Sequence, residues 1–261
     1  MKTTTVLLAC FLYFIPFHSM AWGVIGHRVT GKIAEQYLTV KAKKEIRALL
    51  GQETVSMASN WADFIKSDSS YNYLSTWHYI NLPPNLSELQ INEYLKKDSG
   101  TDLFTKLNFL IGQLKNKSVV RTDKIMYLKL LIHFVGDIHQ PMHTAHAEDR
   151  GGNTIKVLWF STATNLHRIW DEHLIEFQQL SYTEYADALG FSSPAQTIRW
   201  QKQPLNEWVY ESYQISEQLY KEVHPNDKLG YEYNFHHLKI MNQQLLKGGI
   251  RLAGMLNRLF G

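Results

Sequence analysis

The sequence predicts a mainly α protein: a single-domain helical bundle with at most a short β-hairpin. Three observations lead there. Apolar residues recur at helical spacing through most of the 261 residues. One segment, 123–138, is apolar all round, as a helix at the centre of a bundle must be. Only one stretch, 154–160, is rich in strand formers. The chain shows no internal repeat, low-complexity tract or linker, so one domain is the economical architecture.

The elements follow in order. Residues 1–21 read as a signal peptide, with Lys2 as its positive start and an apolar run over residues 6–17. That run is too short to span a bilayer. Ser19 and Ala21 supply small residues at positions −3 and −1 of a cleavage site. Cleavage after Ala21 and a secreted or periplasmic location are expected. An uncleaved anchor, or lipoprotein processing at Cys10, fits the short apolar stretch less well. No later segment is long and apolar enough to cross a membrane. Residues 22–261 then form the domain. Helical spacing covers 29–50, with a break near Leu38-Thr39, and a short helix is expected at 60–66. Leu82-Pro83-Pro84-Asn85 is a loop signal. Residues 102–114 are amphipathic, and Pro141 stops the central helix of 123–138. Asp149-Arg150-Gly151-Gly152-Asn153 reads as a turn, and 154–160 as a strand or hairpin. Segments 165–177, 194–223 and 231–259 return to helix, although Gly248, Gly249 and Gly254 weaken the last.

Composition narrows the chemistry. A formal charge of +3 is too mild to hold nucleic acid by a basic surface alone. The one cysteine lies in the leader, so disulfides, zinc fingers and cysteine nucleophiles are excluded from residues 22–261. Any metal site there must use His, Asp, Glu or backbone groups. The chain carries 12 histidines. His133 and Asp137 are i and i+4 on the central helix, where they share a face and can grip one metal ion. His143 follows past Pro141, where the chain can turn back. His167 and Asp171 repeat the spacing on another helix. Two such pairs plus a third histidine favour a metal centre over scattered core histidines. Trp61-Ala62-Asp63, Trp77-His78-Tyr79-Ile80-Asn81 and Trp22-Gly23-Val24-Ile25-Gly26-His27 say little singly.

Taken together and in order, these segments resemble the S1/P1 nuclease family of secreted zinc nucleases. The resemblance also takes in Gly151-Gly152-Asn153 and Asn165-Leu166-His167 with Trp170-Asp171. It implies the family's helical fold, which zinc phospholipase C shares, and three zinc ions in a cleft. By that resemblance Asp63, His78, His133 and Asp137 hold the first ion, and His143, His167 and Asp171 the second. His27, Asp137 and the main-chain amino and carbonyl groups of Trp22 hold the third, the amine being freed only by cleavage after Ala21. Asp137 bridges two ions, and Asp63 also orients the attacking water. Such a centre stays net positive and attracts phosphate although the protein is only slightly basic. The implied activity is hydrolysis of single-stranded DNA, RNA and 3′-nucleotides to 5′-phosphate products, by a monomer. Tyr79 falls at a base-stacking position, though a core tyrosine also fits. Asn81 falls where some relatives use Asp on a base, and Lys66 where relatives often use Arg near the phosphate. Asn153 contacts substrate, steadies a zinc ligand, or simply makes the turn. His139 also stands at ligand-like spacing, but the family pattern selects His143. His146, His173, His224, His236 and His237 read as surface or structural. Two rival readings remain: a zinc phospholipase C, whose second pair is typically His-x3-Glu, and a non-catalytic zinc-binding protein.

Overall fold

The computed structural model describes residues 22–261, so the signal-peptide segment lies outside the described residues. Helix α1 (Val24–Tyr37) starts earlier than the spacing suggested and stops at Leu38. Thr39 caps α2 (Val40–Leu50) by accepting from the Ala42 amide. The short helix of 60–66 is two tight turns, α3 (Val55–Ala58) lying before it, then α4 (Trp61–Phe64) and a 3-10 turn, Ile65–Ser67. A longer 3-10 segment, Ser69–His78, follows. Next come α5 (Glu88–Lys97), α6 (Leu103–Lys115), the central α7 (Arg121–Asp137) and a 3-10 turn at Pro141–Thr144.

The expected hairpin forms from β1 (Lys156–Trp159) and β2 (Thr162–Asn165), paired antiparallel with Val157 opposite Thr164. Helix α8 (Leu166–Arg168), a π-helical turn at Ile169–His173 and α9 (Leu174–Glu176) make one helical run. Then come α10 (Tyr182–Leu189), α11 (Pro194–Lys202) and α12 (Leu205–Glu222). The segment 194–223 is thus two helices, because Pro204 lacks the amide to continue the first. A two-residue strand β3 (Lys228–Leu229) adds parallel to β1, widening the hairpin into a small three-stranded sheet of order β2-β1-β3. Helix α13 (Tyr231–Phe260) closes the fold unbroken.

Two apolar cores share the molecule. One gathers α2, α6, the apolar face of α7 (Leu128, Leu131, Ile132, Val135) and part of α12. The other gathers Trp22, Val29, Ile33, the hairpin, Trp170 and Ile175. Helix α13 serves both, through Leu252 and Leu256 on one side and Met241 and Leu245 on the other. The glycines expected to weaken α13 are instead its packing face. A Cβ on Gly249 would lie 2.5 Å from Ile33 Cβ and 2.9 Å from the Thr30 carbonyl, so α1 and α13 cross at backbone contact. Gly249→Ala adds helix propensity of about 1 kcal/mol but wedges the two helices apart. We expect a net loss of about 1–3 kcal/mol, read as a lower urea midpoint with an unchanged slope. A raised midpoint would refute the close crossing.

Candidate metal centre

The seam between the two cores is polar. Five imidazoles and three carboxylates meet there, all buried: His27, Asp63, His78, His133, Asp137, His143, His167 and Asp171. Each arrives for a local reason. His27 sits in the first turns of α1, and Asp63 in the short α4. His78 ends the 3-10 segment. The chain just after His78 zips to the segment at 143–145: Ile80 N donates to His143 O at 2.8 Å and Leu82 N to Ala145 O at 3.0 Å. His133 and Asp137 are one turn apart on α7, and Asp137 is its last residue. Asp171 lies in the π-helical turn, which keeps it beside His167. Such turns often mark functional sites.

Asp137 is the hub. Its carboxylate lies 3.0 Å from His78 Nδ1, 3.3 Å from His133 Nε2, 3.3 Å from His27 Nε2 and 3.9 Å from His143 Nδ1. Asp63 Oδ1 stands 3.8 Å from His133 and 4.0 Å from His78, and accepts from Lys66 Nζ at 2.7 Å. At the other end Asp171 lies 3.2 Å from His167 Nε2 and 3.6 Å from His143 Nε2. Donor atoms converge in three groups: His27, Asp63 and His133; His78, His133 and Asp137; His143, His167 and Asp171. The first two groups share His133, and its ring stacks on His27 at 3.8 Å, so they form one continuous donor set.

The donor chemistry fits metal ions. His27 Nε2, Asp63 Oδ2, Asp137 Oδ1, His143 Nε2 and His167 Nε2 are buried and have no hydrogen-bond partner among the described residues. Orphaned buried polar atoms cost about 1–3 kcal/mol each, and cations bound within these groups would satisfy them. The far nitrogens are already engaged. His133 Nδ1 donates to the Ser59 carbonyl, His143 Nδ1 to that of His78 and His167 Nδ1 to that of Gly151, each at 2.6 Å. This fixes ring orientation and leaves the Nε2 lone pair facing the seam. Gly151 presents its carbonyl from a left-handed conformation, φ +64°, and a side chain there would strike the Met142 carbonyl.

Charge is distributed by mutual attraction. Burial opposes the ionisation of Asp137, but His133 and His143 outweigh it and hold the carboxyl well below its ordinary range. Burial also opposes charge on Asp63, yet His133, Lys66 and His78 bring it to about 2. Burial disfavours a protonated His143, and Asp137 and Asp171 override it, raising the ring to about 9. Burial, with Lys66, pushes His78 down to about 4.

Trp22 is fully buried, and its indole donates to the Gly136 carbonyl at 2.8 Å. A role for its amino group depends on cleavage after Ala21, outside the described residues. Lys66 is half-buried on Asp63, Tyr79 is exposed beside His78, and Asn81 is half-buried. Asn153 Nδ2 donates to the Arg150 carbonyl within its turn. His139 stands apart from the donor set: its ring bonds the Val135 carbonyl and Arg251. His146 stacks on Tyr220, His173 on Trp159 and His237 on Tyr233, while His224 and His236 are exposed.

Sequence reasoning missed Gln140. This fully buried side chain donates from Nε2 to Asp171 Oδ1 at 2.5 Å and accepts from Met142 N with Oε1. It ties the turn carrying His143 to the carboxylate of the next helix. Its only sequence signal was its place between His139 and Pro141.

Two outcomes follow. Gln140→Ala should weaken binding of a metal ion offered to the group His143, His167 and Asp171 by about 10–100-fold, seen as one weakened step in a metal-ion titration. Binding at His143 needs a neutral ring, whereas without metal that ring is protonated below about pH 9. Ion uptake at pH 7 therefore releases a proton, and affinity falls as pH falls, by about tenfold per unit per proton. Competition against a coloured chelator between pH 8 and 6 checks the sign; a flat profile contradicts it.

The sequence matches known proteins along its described length. A family model for S1/P1 Nuclease matches residues 22–261. Endonuclease 2 of Arabidopsis thaliana is 35% identical over 266 residues, covering 92% of this chain and 91% of its own. Endonuclease 5 of the same plant is 30% identical, covering 93% and 91%. Nuclease S1 of Aspergillus oryzae is 28% identical over a shorter part, 64% of this chain and 61% of its own. A match over the whole described length, with histidine and aspartate donors gathered in one buried seam, shows that this chain belongs to the S1/P1 nuclease family.

Proposed function

We propose that this protein is a zinc-dependent phosphodiesterase. Its substrates are single-stranded DNA and RNA, with 3′-nucleotides as smaller ones, and its products end in 5′-phosphates. The observation that carries the reading is the converging set of buried, orphaned donor atoms in a chain of nuclease family. The full-length family match favours it over a zinc phospholipase C, and the rim of exposed Tyr79 and cationic Lys66 favours it over simple zinc storage.

Asp63, His78, His133 and Asp137 would hold one zinc ion, and His143, His167 and Asp171 a second. His27 and Asp137, with the main-chain groups of Trp22, would hold a third. Zinc bound in such a site lowers the pKa of water from ~15.7 toward ~7 and polarises a phosphoryl oxygen. The chain's own groups do the rest. Asp63 presents two oxygens, Oδ1 toward His78, His133 and Lys66 and Oδ2 unpartnered, so one could take the ion while the other accepts a hydrogen bond from the attacking water and orients it. The Lys66 ammonium is a point charge at the mouth, suited to a phosphate oxygen but without the two-pronged grip of arginine. Tyr79 offers its ring to a base, and stacking tolerates any base. Asn81 and Asn153 would supply neutral hydrogen-bonding groups toward the substrate, as the family resemblance implies. Export, with cleavage after Ala21, would free the Trp22 amine, and residues 22–261 would then act as one catalytic domain and as a monomer.

The test uses secreted protein whose N-terminus is confirmed as Trp22. Cleavage of single-stranded DNA and RNA should stop with a chelator, return with zinc and leave 5′-phosphate ends. Asp137→Ala should lose zinc and slow cleavage by about 10³-fold, the worth of ~4 kcal/mol of metal stabilisation. Zinc-loaded, correctly processed protein that cuts neither substrate would sink the reading. So would an Asp137→Ala variant with normal zinc content and turnover.

A further inference from the structure

Beside the metal centre lies an aromatic surface that the chemistry above does not use. Trp61 meets Tyr71 edge-on at 5.8 Å, and Tyr71 stacks with Tyr73 at 6.3 Å. Tyr73 meets Trp77 at 5.6 Å, Trp77 meets Phe109 at 6.2 Å, and Phe109 meets Tyr127 at 5.8 Å. The inner rings are covered, but Tyr73 stays 51% exposed and Phe109 38%. Lys106 stands among them, its ammonium 4.7 Å from the Trp77 ring and 5.6 Å from that of Phe109.

The surface adjoins the cleft. Trp77 directly precedes His78 and touches Phe134, the neighbour of His133. The Tyr79 carbonyl accepts from Leu103 N at the start of α6, and Lys106 is one turn further along that helix. Tyr127 lies ten residues before Asp137 on α7, about 15 Å of helix. Tyr79, Lys106 and the exposed rings thus lie on directly adjoining segments.

We propose that Tyr73, Phe109 and Lys106 form a stacking platform for the part of a single-stranded nucleic acid that lies outside the cleft. Bases rest on the two exposed rings and a phosphate lies at Lys106. The proposal rests on the nuclease reading above and deepens it, since it makes the enzyme prefer long strands. The surface chemistry selects this occupant. A single strand offers free π-faces at intervals with negative charge between them, matching rings interleaved with a cation. A duplex keeps its bases stacked inside, and an apolar peptide offers nothing to Lys106.

The test compares a dinucleotide with a labelled thymidine strand of about 12 nucleotides, within the 4–16 typical of such surfaces, using zinc-loaded protein. Tyr73→Ser and Phe109→Ser should each raise KM for the strand about five- to tenfold and leave the dinucleotide's kcat and KM unchanged. Tyr73→Trp should keep the parental KM, because a ring remains. Lys106→Gln should reduce the slope of log KM against log salt by about 0.7 for the strand alone. The unchanged dinucleotide activity reports that each variant is folded and loaded. If strand and dinucleotide shift together, or neither shifts, the platform is overturned. If the parent cleaves neither, the nuclease reading fails and the platform with it.

Discussion

A carboxylate at the wrong end of a buried helix organises this molecule. Asp137 is the last residue of α7, where the aligned peptide dipoles already concentrate negative charge, and it is fully buried. An isolated anion there would be too costly to keep. The structure answers with imidazoles from four different segments, three of them within 3.3 Å. Each of those rings must be delivered by its own piece of chain. Helix α1, the 3-10 segment before Tyr79 and the turn after Pro141 can be read as three means of delivery. The segments around α7 are thus placed to give the carboxylate at its end partners on several sides.

The seam can stay polar because the apolar work is done on either side of it. One core presses α7 from behind, and the other carries Trp22, Trp170 and the hairpin. Backbone carbonyls of Ser59, His78 and Gly151 hold the outer nitrogens, and Gln140 holds Asp171. Rigid donors of this kind lose little entropy when an ion arrives. A second buried polar group sits behind α7: Arg251 is fully buried, reaching Glu211 and Gln203 while its guanidinium also meets His139. That engagement keeps His139 out of the donor set although its spacing in sequence resembles that of a ligand.

Periodic features were legible in the sequence, and those made by backbone were not. The all-round apolar run announced α7, and the two His-x3-Asp pairs announced donors on a common face. The break at Leu38 was visible because the apolar period lapses there. Helices α5 and α10 went unassigned, yet both carry a capping box in their first turn, Ser87 with Gln90 and Ser181 with Glu184. The segment Ser69–His78 has no apolar period because its 3-10 turns are built from serines and tyrosines. Strand β3 is two residues long and is defined only by its pairing with β1. The glycines of α13 read as weakness in isolation, because their worth lies in the residues across from them, Thr30 and Ile33. Carbonyl partners of the histidines leave no trace in side-chain identity at all.

The crossing of α1 and α13 has a consequence for the order in which the molecule is made. His27 rides on the first helix, and that helix is held by the last one, at Gly248 and Gly249. During synthesis the N-terminal segment emerges long before residue 249 is available. Until α13 is made, α1 lacks the close crossing at Gly248 and Gly249 that backs the helix carrying His27. Closure of a contact spanning more than two hundred residues belongs to the slow end of folding. All eight donors lie upstream of α13, so the last helix adds no ligand and acts by backing the first.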